Sequence, residues 1–265
     1  MIRKRAQQFG LVRVVGGVLA VGVAGALGLV FAADGDRSPR LAEAQAFLDQ
    51  IPDEIQVDPG QVMYTKMSIY ERRGPKEKEI ADATGIPTES MVAEAWEEVG
   101  PGETITRSFG QVFDDDGQLV RQSIHKPGAS RTTNILTGDV VREDEYRPLP
   151  FNAPQVRADR FEVAISRGEA EVVEQTGHEL VIEIREAIPS HINGAPRGEG
   201  WQLPYYADLD PTSIVTRTTI RDDGVLLAYD TYVVVPDGSE VLVSSQRLLN
   251  FEILDSLDES FWEGR

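Results

Sequence analysis

Apolar and polar residues alternate with a period of two over most of this chain. At positions 63–71, Met63, Thr65, Met67 and Ile69 fall on one face and Tyr64, Lys66, Ser68 and Tyr70 on the other, as in a strand with two distinct faces. The segments MVAEAWEEV, TITRSFGQVF, QLVRQSIH, SRTTNIL and DVVRED continue the pattern, divided by PG, DDDG, KPG and TG, turn formers that supply glycine for positive φ. Further on, EAEVVEQTG pairs with HELVIEIREAI, SIVTRTTIR with VLLAYDTYVVV around DDG, and that strand with EVLVSSQRLLNFEIL around PDGS. The pattern predicts about ten antiparallel strands, each with Arg or Gln on a wet face and an apolar face that another layer must cover.

The helical period occurs in two places. Residues 38–49 have Ser38 as a cap, Pro39 in the first turn, and Leu41, Ala44, Phe47 and Leu48 on one face. Residues 157–167, RADRFEVAISR, form a shorter helix ended by Gly168, with Phe161, Val163 and Ile165 as its apolar positions. The stretch PSHINGAPRGEGWQLPYYADLDP, rich in Pro and Gly, reads as a long surface loop. No linker divides the body, so the fold class is α+β, an antiparallel sheet covered by short helices.

Residues 14–33, VVGGVLAVGVAGALGLVFAA, are uncharged and almost wholly apolar, follow the basic segment MIRKR, and would just span a hydrocarbon core of about 30 Å as a helix. The run exceeds the roughly 7–15 residues of a signal-peptide core and favours an uncleaved signal anchor, cleavage after Ala32 being the alternative. The expected division is a cytoplasmic segment at 1–13, a membrane-spanning anchor at 14–33 and an extracytoplasmic domain at 34–265, oriented by the positive-inside rule. Residues 1–33 hold four basic and no acidic side chains, which leaves 22 basic against 44 acidic over residues 34–265, a net charge of −22. So acidic a body repels nucleic acid. Without cysteine there is no disulfide framework, thiolate zinc site or lipid-acceptor thiol.

Candidate chemistry is sparse. Asp114, Asp115 and Asp116 before Gly117 resemble a calcium loop, but adjacent side chains on an extended chain point in opposite directions, and a hairpin turn accounts for the run better. Asp208 and Asp210 are spaced to act as an acid/base pair, yet Asp210 precedes Pro211, where Asp favours a turn. His125, His178 and His191 lie in separate elements without metal-ligand spacing, and no nucleophile elbow, P-loop or dinucleotide fingerprint occurs in the body. The residues therefore predict a protein that is not an enzyme and takes no metal or cofactor. The expected binding surface is the apolar face of the strands, with Met63, Met67, Ile69, Phe109, Phe113, Leu180, Ile182, Leu227 and Tyr229 along it, hollow if the strands curl and packed core if they do not.

The order of helix, meander, helical interruption and closing hairpins resembles the lipoprotein-carrier fold of the LolA/LolB type and its regulatory relatives of the RseB/MucB type. AEAWEEV followed by ITRSFGQVFDDDGQLVRQS, then DLDPTSIVTRTTIRDDGVLLAYDTYVV with Asp208 or Asp210, Arg217 and Gly224, and the terminal NFEILDSLDESFW carry the resemblance. It implies a curved half-barrel meander around an apolar concavity. Joined to the leader, it implies a membrane-anchored extracytoplasmic protein that binds a lipid, lipoprotein or envelope partner. The alternatives are a secreted soluble carrier, once the leader is removed, and a hydrolase using Asp208 and Asp210.

Overall fold

A computed structural model describes residues 37–52, 55–72, 89–102, 104–144, 149–150, 154, 158–188, 191–192, 195–196 and 207–263. Helix α1 (Arg37–Leu48) leads into β1 (Val62–Glu71), and a meander follows: β2 (Ser90–Gly100), β3 (Thr104–Phe113), β4 (Leu119–Lys126), β5 (Ala129–Asn134) and β6 (Val140–Asp144). The two-residue β7 (Leu149–Pro150) and helix α2 (Ala158–Ser166) precede a second meander. Its strands are β8 (Ala170–Gln175), β9 (Glu179–Ala187), β12 (Ser213–Arg221), β13 (Leu226–Val234) and β14 (Glu240–Leu254), interrupted by the small hairpin of β10 (His191–Ile192) with β11 (Ala195–Pro196). Short 3₁₀ helices occupy Ala207–Leu209 and Glu259–Glu263.

All the strands except β10 and β11 belong to a twelve-stranded sheet in the order β6-β5-β4-β3-β2-β1-β14-β13-β12-β9-β8, with β7 added beside β3. β1 pairs with β14, so the first strand and the last join the two meanders into one layer. The sheet must curve. Pro150 sits beside β3, whereas the Pro154 carbonyl accepts a hydrogen bond from the Leu226 amide of β13 at 2.8 Å. On a flat sheet that bridge would cross five strand spacings, about 24 Å, and four residues reach at most about 14 Å. Pro154 lies with Met67, Leu226 and Tyr229 on the face that also carries the helices, so that face is the concave one.

The helices cover the second half of the concave face. Ala44, Phe47 and Leu48 of α1 and Ile165 of α2 pack on Leu180, Ile182, Ile220 and Leu226, all buried. The first half has a smaller cluster of Ile69, Met91, Ala93, Val112 and Val120. On the convex face the C-terminal 3₁₀ helix folds back, and Trp262 is buried against Val62 and Phe109 with Trp96 and Phe261 around it. Arg217 holds the other half of the convex face, reaching Glu183 at 2.8 Å and Glu240 at 2.7 Å while lying over the Tyr232 ring.

Two expectations are corrected. The half-barrel is instead a curved, open sheet: among the described residues the strand path runs from β6 to β8 without pairing back on itself. The membrane-anchored topology, with the membrane as a partner and a single-pass location, has no helix to carry it among the described residues, where none is long and apolar enough to cross a membrane. The longer α-helix there, α1, has 12 residues and spans about 18 Å against a core of about 30 Å. The predicted span at 14–33 lies outside the described residues, as does most of the Pro- and Gly-rich loop.

Candidate functional site

Strand register places two rows of side chains side by side on the concave face of the first meander. One row runs Met63, Glu97, Ser108, His125 and Ser130 across β1 to β5. Its neighbour runs Thr65, Ala95, Gly110, Ser123 and Thr132. Sequence alternation assigns apolar residues to the covered face, and here the structure departs from it. Thr65, Glu97, Ser108, Ser123, Ser130 and Thr132 are all buried, so this half of the face is polar and still shut off from water.

A buried polar group costs about 1–3 kcal/mol unless it finds a hydrogen-bond partner. The outer strands meet that demand: Ser123 Oγ and Thr132 Oγ1 lie 3.1 Å apart, and His125 Nδ1 lies 2.6 Å from Ser130 Oγ. The inner ones do not. Among the described residues, the side chains of Thr65, Glu97 and Ser108 have no hydrogen-bond partner, although they are 3%, 2% and 4% exposed. Burial pushes the Glu97 carboxyl up to about 7, with no neighbouring charge to offset it. Between these three groups the floor is Ala95 beside Gly110, which projects no more than one methyl.

The expected binding residues divide between the two faces. Met63, Met67, Ile69, Leu180, Ile182, Leu227 and Tyr229 lie on the concave side. Phe109 lies on the convex side with Trp262, and Phe113, opposite Val92, shares that side. Leu180 and Ile182 are fully buried beneath α1 and α2. Met67, Leu227 and Tyr229 come together with Pro154, Gln246 and Leu248 around a cavity of about 10 Å³. That is the least volume that holds one water and far below the roughly 300 Å³ of a small-molecule site.

The hydrolase residues do not converge. Asp208 is tied to Arg72 through two hydrogen bonds, which hold its carboxyl below its ordinary range. Asp210 is exposed, with φ at 46°, and turns the chain into β12. The exposed His178 pairs with Asp222 at 2.7 Å at the far end of β12, about 26 Å away along the strand. His125 belongs to β4, six strands across the sheet from β12. The side chain of His191 lies outside the described residues.

Reading apolar faces overlooked Glu97, Ser108 and Thr65. A signal was present, since Ala93, Ala95, Ser108, Gly110, Ser123, Ser130 and Thr132 are small residues at alternating positions on adjacent strands. Small residues in register on facing strands mark a place where something other than large side chains fills the volume.

No family model matches this chain, so the LolA/LolB and RseB/MucB resemblance has no counterpart there, and no curated protein matches it. Among solved structures it is similar to an uncharacterized conserved protein from Thermus thermophilus, at 9% identity over 84% of this chain and 94% of the other, with a TM-score of 0.35. It is also similar to a DUF1329 family protein from Desulfovibrio piger, at 11% identity over 85% of this chain and 96% of the other, with a TM-score of 0.27. Likeness at that level assigns neither ligand nor activity.

Proposed function

We propose that this chain is a non-enzymatic carrier that holds an amphipathic ligand, a lipid or the acylated end of a lipoprotein, on the concave face of its sheet. The observation that carries the reading is the division of that face into an apolar half beneath two short helices and a buried polar half whose central groups lack partners among the described residues. This pairing of surfaces matches a molecule with an apolar chain and a polar head. The sequence alternative of a soluble carrier released from its leader takes the place of the membrane-anchored one.

Room for the chain comes from the helices. α1 has 12 residues and α2 has 9, at or below the length at which an isolated helix holds in water, so their helicity depends on packing against the sheet. An alkyl chain entering from Met67 and Tyr229 toward Leu226 replaces contacts of the same kind, at about 0.8 kcal/mol for each buried CH₂. The polar end then lies over β1 to β3.

The test is equilibrium binding of a fluorescent long-chain acyl probe with an uncharged head to delipidated protein. The expected result is saturable one-to-one uptake, displaced by unlabelled ligand and abolished by Met67→Asp in a folded variant. Absence of saturable uptake by the native chain sinks the proposal.

A further inference from the structure

Three acceptor groups lie together in the buried polar half of the concave face. Glu97 on β2 is directly opposite Ser108 on β3, and Thr65 on β1 is diagonal to Glu97 on the same face. Directly opposite Cβ atoms lie about 4.5–5.5 Å apart and diagonal ones about 7–8 Å, distances that one nitrogen with hydrogen bonds of about 2.8 Å can bridge. Ala95 and Gly110 leave the middle of this triangle low.

The chemistry that satisfies such a set is narrow. A carboxylate accepts and does not donate, and each hydroxyl has two acceptor lone pairs. A carboxylate-headed ligand would set a second negative charge against Glu97 in a place without water, and a hydroxyl head would leave the carboxyl without a counter-charge. A primary ammonium has three N–H donors, no acceptor and one positive charge, which matches one carboxylate and two hydroxyls group for group. Charge-assisted bonds of this kind are shorter and roughly twice as strong as neutral ones. Met63, buried next to Glu97 in the same row, and Met67 beyond it would receive the first methylenes of an attached chain.

We infer that Thr65, Glu97 and Ser108 form a head-group site for a primary ammonium, so that the ligand is a long-chain amine. This rests on the carrier reading and narrows it. The net charge of −22 over residues 34–265 favours the approach of such cations, and Glu97 holds them.

Four probes with the same twelve-carbon chain separate the contributions: the primary amine, the trimethylammonium, the alcohol and the carboxylate, each titrated below its micelle concentration in 0.15 M salt. The amine is expected to bind at least about tenfold more tightly than the alcohol, and the carboxylate most weakly. Trimethylammonium keeps the charge but has no N–H, and it is expected to fall between amine and alcohol. Glu97→Gln should remove the advantage of the amine over the alcohol. Ser108→Ala, the milder variant, should weaken the amine several-fold and the alcohol less. Equal binding of amine and alcohol by the native chain, or an amine preference that survives Glu97→Gln, overturns the inference while the carrier reading stands. If none of the probes binds, the carrier reading fails and the inference goes with it.

Discussion

Arg72, just past the end of β1, donates two hydrogen bonds to the carboxylate of Asp208, at 2.8 and 2.7 Å. The pair ties the first strand to the 3₁₀ turn that feeds β12, and it removes Asp208 from acid/base chemistry. Asp208 is held below its ordinary value mainly by the Arg72 hydrogen bonds. A depressed carboxyl contributes stability that is fully present above its unfolded value near 3.8 and lost as pH falls through the folded value. Asp208 is 42% exposed, so solvent screens the pair and about 0.5 kcal/mol is the expected scale. Asp208→Asn should therefore lower the urea midpoint slightly at pH 7, with the difference from the native chain shrinking as pH falls below about 3.8 and shrinking in 1 M salt. A loss of several kcal/mol would show that the pair does more than join two segments.

Glu97 has the opposite linkage. Its carboxyl is raised from 4.5 to about 7, so between those values the folded chain holds a proton that the unfolded chain has released. Stability falls as pH rises through that window; below 4.5 the cost is absent, and above 7 it is complete, about 3 kcal/mol. Glu97→Gln cannot ionise. Without ligand it should match the native chain near pH 4 and exceed its stability by up to about 3 kcal/mol at pH 8, as read from denaturant unfolding at the two pH values. A variant that is less stable at pH 8 would place a cationic partner beside Glu97.

The sheet was legible in the sequence where its causes are local. The turns at Gly117, Gly128 and Gly238 have φ of 76°, 81° and 86°, and the residues on either side alternate as strands do, so hairpins follow from adjacent residues alone. The candidate site depends on register between strands, and register includes bulges at Glu98/Val99 and Val112/Phe113 that shift one strand against the next. No local pattern sets those shifts. Phe109 groups with the apolar residues of the covered side until its strand places it opposite Trp96, on the convex face. The polar face was hidden for a related reason: Ser108, Ser123 and Thr132 look like solvent-facing residues in any one strand, and their burial depends on the whole fold rather than on local sequence.

The C-terminal 3₁₀ helix is a clamp on the convex face. Trp262 is 2% exposed, its ring meets that of Phe261 at 5.3 Å, and Arg107 lies 5.5 Å from its ring centroid while also pairing with Glu259 at 2.6 Å. Removing a buried aromatic of this size costs about 3–5 kcal/mol. Trp262→Ala should lower stability by that amount, and Arg107→Ala by less, since only the cation–π contact and partly exposed ion pairs are lost. Thermal unfolding followed by near-ultraviolet dichroism reads both. A Trp262→Ala loss below about 1 kcal/mol would mean that the tail only lies on the surface.

The acidic hairpin between β3 and β4 uses one of its three carboxylates for structure. Asp114 Oδ1 accepts hydrogen bonds from the amides of Asp116 at 3.1 Å and Gln118 at 2.8 Å, which closes the turn from within. Asp115 and Asp116 are exposed at its tip. A carboxylate oxygen occupied by two backbone amides is a poor calcium ligand, and among the described residues no group of acidic and histidine side chains is arranged to hold a metal. Asp114→Ala is expected to cost about 1 kcal/mol because two amides lose their acceptor, whereas Asp116→Asn should leave stability unchanged. Gly117→Ala should cost about 1–2 kcal/mol, all of it from the backbone, since φ is 76° and an added Cβ would meet nothing within 4 Å. Millimolar calcium should shift none of these unfolding midpoints. A calcium-dependent rise in the native midpoint that Asp116→Asn removes would assign the loop a metal, and the turn geometry would then be its scaffold.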